Sequence, residues 1–207
     1  MSVPIRIAGL LLAACLLASC ASLTGKTEPF AIYAPQLESA PATGPAVDWQ
    51  LSIDTPLASS AIDSTRIAVM PTPGVLQIYP AARWRDPAPV LLRGLIVEGF
   101  ERSGRILGVG AAAGLRADLG LTLELRAFQA EIGADGARAV VRLQASLIDY
   151  SNNRVVAART FEAASPAAGS DMTAMFPAFE TSLDTIVVQL VDWTLAEGER
   201  RRAAATR

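Results

Sequence analysis

Between Leu119 and Ala163 the chain alternates apolar and polar residues in three consecutive runs, a periodicity that demands a sheet with one buried face. Leu119, Leu121, Leu123 and Leu125 alternate with Gly120, Thr122, Glu124 and Arg126. The phase shifts near Ala127 and Phe128, which predicts a bulge. Asp135-Gly136 is a hairpin signal, and Ala139, Val141, Leu143, Ala145 and Leu147 line one face of the next run. Ser151-Asn152-Asn153 marks a second turn. Arg154 to Ala163 reads as a third strand, closed by Pro166 to Gly169.

Two helical stripes accompany this meander. Leu91, Leu92, Leu95, Ile96, Gly99 and Phe100 recur at helical spacing, with Asp86 as expected N-cap, Pro87 at the first helical position and Gly104 as left-handed C-cap. Met172, Met175, Phe176, Phe179, Leu183, Ile186, Val187, Leu190 and Trp193 form a longer stripe. Pro177 marks a kink or the start of that helix, and Gly198 its end. Shorter strands are expected at Trp49–Ile53, Arg66–Met70, Val75–Tyr79 and Ile106–Val109. The order predicts an α+β fold: a mainly antiparallel sheet of five to six strands, with two amphipathic helices packed on one face.

At the N-terminus, Arg6 precedes an apolar run from Ile7 to Leu17, too short to span a bilayer and suited to a signal-peptide core. It ends in Leu17-Ala18-Ser19-Cys20, which resembles the lipobox of bacterial lipoproteins, with Cys20 carrying the lipid. Cys15, after Leu12-Ala13-Ala14, is a rival, but cleavage there would shorten the apolar core. Residues 1–19 are thus expected to be a signal peptide. Residues 20–48, with several prolines and a short strand at 30–33, read as a lipidated tether. Residues 49–197 form the domain, and residues 198–207 a frayed Arg/Ala tail.

The remaining chemistry is sparse. The chain has two cysteines, both in the N-terminal segment, and no histidine. No disulfide or cysteine-based metal site is available to the domain, and a Ser-His-Asp triad is excluded. Lys26 is the single lysine and lies in the tether; Asp48 and Asp54 occupy loop-like, solvated positions. No metal or cofactor is expected, and no enzymatic activity. The formal net charge of −2 with no basic face argues against nucleic acid. Three features could carry binding. The segment Tyr79 to Asp86, with Tyr79, Arg83, Trp84 and Arg85, is either a partner interface or a packed strand-to-helix connection. The stripe of the last helix reads as core or as a partner or lipid groove, and Arg200–Arg202 as a solvated tail or a contact for anionic headgroups.

Taken in order, several segments resemble the ABC-type transport auxiliary lipoproteins, the PqiC-like group. They are Ile53-Asp-Thr-Pro-Leu-Ala-Ser-Ser60 leading into Arg66–Met70, Tyr79-Pro-Ala-Ala-Arg-Trp84 with the helix ending Phe100-Glu-Arg-Ser-Gly104, and Gly114-Leu-Arg-Ala-Asp118 running into Phe128. The resemblance spans roughly residues 28–195. It implies a non-enzymatic lipoprotein of the outer membrane, facing the periplasm. Its implied partner is an MCE-domain (MlaD-like) protein of an ABC transporter with permease and ATPase, a system that moves phospholipids or other hydrophobic molecules. Ala21 and Ser22 after Cys20, without an aspartate, agree with the outer-membrane address that the resemblance implies. A ring-like homo-oligomer is compatible with it. Two other readings stay open: a stand-alone lipoprotein binding a lipid between helices and sheet, and a structural envelope lipoprotein.

Overall fold

A computed structural model of the chain describes residues 29–39, 41, 44–110 and 116–205. In chain order the elements are β1 (Ala31–Tyr33), β2 (Leu51–Ile53), β3 (Leu57–Ala58), β4 (Arg66–Thr72), β5 (Val75–Trp84), α1 (Ala88–Ser103), β6 (Val109–Gly110), β7 (Leu119–Gly133), β8 (Gly136–Asp149), β9 (Arg154–Pro166) and α2 (Met172–Ala205). The strand β7 organises the sheet. On one side β8 pairs with it antiparallel over its whole length, from Leu119↔Asp149 to Gly133↔Gly136, and β9 continues the meander.

On its other side β7 is flanked by β2, β3 and β4 in succession. All three run parallel to it, with Leu51 opposite Leu119, Leu57 opposite Glu124 and Ala68 opposite Gln129. Then β5 returns antiparallel to β4, β1 adds parallel to β5, and β6 lies parallel to β2. The fold is α+β as expected, but the sheet is mixed and nine-stranded, not mainly antiparallel with five or six strands. The parallel pairs of β2, β3 and β4 with β7 arise because α1 lies between these strands and β7, and parallel neighbours need such a crossover. Two-residue strands such as β3 and β6 are too short to show a period in sequence.

The alternation predicts the buried face. Leu121 and Leu123 of β7, Val141, Leu143 and Ala145 of β8, and Phe161 of β9 all point into one core. The register skips between Leu125 and Ala127, so the bulge takes up Arg126 and restores Phe128 and Ala130 to the inner face. Both helices cover that face. In α1, Leu92, Ile96 and Phe100 are fully buried, as are Phe179, Leu183, Ile186, Val187 and Leu190 in α2. The two helices approach closely at Gly99, where a Cβ would overlap a methyl of Val187. A buried serine pair ties α2 to the sheet: the Ser182 hydroxyl lies 3.0 Å from the Ala139 carbonyl and 2.8 Å from Ser165 Oγ.

Helix ends follow the sequence in part. Gly104 closes α1 at φ 63°, the left-handed conformation expected of it. Asp86 does not cap α1: Pro87 holds the cap position without a side-chain hydrogen bond, and Asp86 instead accepts from Arg85 at 3.0 Å. The aspartate that does cap is Asp171, which accepts from the Thr173 and Ala174 amides at 3.0 and 3.1 Å. From Met172, α2 runs through Pro177 and also through Gly198.

Residues 198–205 are therefore helical rather than frayed, and residues 198–202 dock on the folded body. Gly198 is needed for close approach, since a Cβ there would be in steric overlap with Cζ2 of the Trp49 indole ring. The Trp49 indole N–H donates to Glu199 at 2.8 Å, Arg202 pairs with Asp48 at 2.9 Å, and Arg201 pairs with Asp149. Part of the stretch read as tether also belongs to the folded body. Tyr33 packs on Phe176 with ring centroids 5.0 Å apart, and Leu37 and Val47 are buried. The Ser39 amide donates to Asp184, and Arg102 donates to the Leu37 carbonyl.

At the end of β8, Asp149 is 4% exposed. Burial alone would raise its carboxyl, but hydrogen bonds from Ser151 and Arg201 outweigh burial and hold it below the ordinary carboxylate range. A depressed carboxylate stabilises the fold above its unfolded value of about 3.9, and that stabilisation is lost as pH falls through the folded value. Asp149→Asn should cost about 1.5–3 kcal/mol at pH 7, and the deficit in urea unfolding should shrink below about pH 4. A deficit independent of pH would contradict this role. The glycines give a second test. Gly94→Ala, exposed with open space at its Cβ, should stabilise by about 0.8–1 kcal/mol, whereas Gly99→Ala and Gly198→Ala should each destabilise by roughly 1–2 kcal/mol.

Candidate functional site

The segment from Tyr79 to Arg85 divides by strand parity. Tyr79, Ala82 and Trp84 face the core. Trp84 is 2% exposed; it stacks on Phe128 with centroids 4.9 Å apart and meets Phe179 edge-on at 5.0 Å. The Tyr79 hydroxyl donates to the Ser170 carbonyl at 2.8 Å, and burial followed by the charge of Asp171 raises its pKa. Between them the chain is irregular, with Ala81 at φ 51°. Tyr79 and Trp84 thus follow the packed strand-to-helix alternative, and their buried rings leave Arg83 and Arg85 as the surface of this segment.

Arg85 is exposed and paired with Asp86 at 3.0 Å. Arg83 is half-buried, donates to the Ala82 carbonyl at 2.8 Å, and lies with its guanidinium carbon 5.8 Å from the Phe30 ring centre. Directly opposite Arg83 in register is Arg66 of β4. Like charges facing each other across strands are unfavourable, and among the described residues neither forms an ion pair with a carboxylate. The same outer surface carries exposed Ile32 from β1, opposite Arg83, and exposed Ile78 from β5, opposite Ala68. Nothing in the sequence brought these residues together, because β1 and β4 join β5 through long-range pairings.

A polar cleft of about 500 Å³ lies at the opposite end of β7, lined by Trp49, Arg116, Asp118, Asp149, Tyr150 and Arg201 among others. Its carboxylates are occupied in holding the fold: Asp118 accepts from the Gln50 amide at 2.9 Å, and Asp149 is held by Ser151 and Arg201. Among the described residues no group of His, Cys, Asp and Glu could hold a metal ion, and no helix is long and apolar enough to cross a membrane. Cys20 and its rival Cys15 lie outside the described residues. The surviving candidates are therefore surfaces.

A family model described as the ABC-type transport auxiliary lipoprotein component matches residues 30–191. Among solved structures, protein XCC0632 from Xanthomonas campestris, described as family DUF330, is 39% identical with a TM-score of 0.80, covering 84% of this chain and 99% of its own. An uncharacterized protein shares the fold at 14% identity and TM-score 0.62, covering 80% of this chain and 98% of its own. The PelC dodecamer from Paraburkholderia phytofirmans overlaps 75% of this chain and 94% of its own, at 17% identity and TM-score 0.45. No curated protein matches the chain. With a family match running from β1 into α2, the chain belongs to the ABC-type transport auxiliary lipoprotein components.

Proposed function

We propose that this chain is a non-enzymatic lipoprotein of the outer membrane that serves an MCE-type ABC transport system moving phospholipids or other hydrophobic molecules. The family match over residues 30–191 carries the reading, and Leu17-Ala18-Ser19-Cys20 supplies the anchor. Cys20 takes the lipid, and the domain behind it faces the periplasm, where it docks the MCE protein. The absence of histidine from the whole sequence agrees with a role in attachment rather than turnover.

Packing favours this reading over a carrier with a lipid between helices and sheet. That space is filled by the chain's own side chains, with Trp84, Phe128 and Phe179 in mutual ring contact and Phe161 against Trp193. An acyl chain there would have to displace close-packed aromatics.

Two outcomes are expected. Cys20→Ser should move the protein from the membrane to the soluble fraction with its unfolding midpoint unchanged; retention on the membrane would point to Cys15 or to another mode of attachment. Crosslinking in intact cells should recover the MCE protein with this chain. Recovery of no transporter component, under conditions that capture the permease–ATPase complex, would overturn the adaptor role.

A further inference from the structure

The outer surface of β1, β5 and the start of β4 combines features scattered in sequence. Phe30, Ile32 and Ile78 are 51%, 64% and 45% exposed. Beside them stand Arg66 and Arg83, opposed in register and unneutralised by any described carboxylate. By contrast, the arginines on the outer faces of β7 and β8 are matched: Arg126 with Glu124, Arg138 with Glu131, Arg142 with Glu162. Apolar side chains interleaved with unpaired guanidinium groups suit the boundary between acyl chains and phosphates, where an anion between two arginines removes their repulsion.

Chain length points to the same occupant. Phe30 lies ten residues after Cys20. A ten-residue segment without regular structure has a root-mean-square reach of about 16–19 Å. From β1 the sheet runs through β5, β4, β7 and β8 to β9, five strand spacings or about 24 Å. A lipid on Cys20 therefore favours the β1 edge, where the chain enters the sheet, over the β9 edge as the one nearer the leaflet.

We infer that the β1–β5 outer surface, through Phe30, Ile32, Ile78, Arg66 and Arg83, lies against a phospholipid leaflet with anionic headgroups and fixes the orientation of the anchored domain. This rests on lipidation at Cys20. Exposed apolar side chains gain by leaving water at the interface, and each cation near an anionic surface contributes about a fivefold preference.

The test uses the full lipoprotein, purified from membranes and reconstituted into phosphatidylethanolamine–phosphatidylglycerol vesicles. Because the chain after Cys20 lacks cysteine, Ile32→Cys, Ile78→Cys and Val155→Cys each accept one environment-sensitive fluorophore. Val155 is exposed on β9, the opposite edge of the sheet. A lipid-borne quencher should quench the probes at 32 and 78 several-fold more than the one at 155. Adding Arg66→Gln and Arg83→Gln should reduce that contrast on phosphatidylglycerol vesicles and leave it unchanged on neutral ones. Having two reporters means a folding defect at one site does not decide the result. Protein that floats with vesicles but shows equal quenching at all positions overturns this orientation while leaving the anchor intact. Probes shielded equally in detergent and vesicles, without quenching, assign the surface to a second copy and also overturn it. Protein that does not float overturns both the anchor and the orientation.

Discussion

The rest of the structure depends on covering one long apolar face. The strand β7 has 15 residues and so spans about 50 Å at a rise of 3.3 Å each. The helix α2 has 34 residues and spans about 51 Å. Ser182 meets Ala139 near the start of β8, Trp193 meets Phe161 farther along, and Arg201 meets Asp149 at its end. One helix thus follows the hairpin for most of its length. Had α2 stopped at Gly198, Asp149 would be left buried without its guanidinium. The matched lengths explain why a helix that looks in sequence as if it should end continues for two more turns.

That arrangement decides where function can reside. Aromatic side chains fill the layer between helices and sheet, and the outer face of β7–β9 carries paired charges whose exposed pairs contribute little to stability. What remains for recognition is the periphery: the β1 edge, the strands beside it, and the chain leading back to Cys20. An auxiliary lipoprotein needs little more. Its core gives a rigid body, and the lipid proposed on Cys20 would limit that body to a shell near the membrane.

Local features were legible in the sequence, and their long-range consequences were not. The alternation from Leu119 to Leu147, the bulge beside Ala127 and the Gly104 cap each follow from neighbouring residues and were readable. The parallel run of β2, β3 and β4 along β7 was not, because pairing across a helical crossover leaves no local period. Gly198 was misleading for a related reason: glycine signals either a left-handed cap or a close approach, and only the position of Trp49, 149 residues earlier in the chain, distinguishes the two. Trp84 shows the same limit. Its neighbours Arg83 and Arg85 suggest a surface, while its inward parity on β5 depends on the backbone irregularity at Ala81. The opposition of Arg66 and Arg83 exists only once β4 and β5 are paired.

The central claim is that a self-contained domain is held at the membrane by a lipid on Cys20. Intact-mass and peptide mass spectrometry of the protein isolated from its native membranes test this directly. The account predicts a mature chain beginning at Cys20 and bearing acyl chains on that residue. An unmodified chain, or one beginning at any other residue, would contradict it.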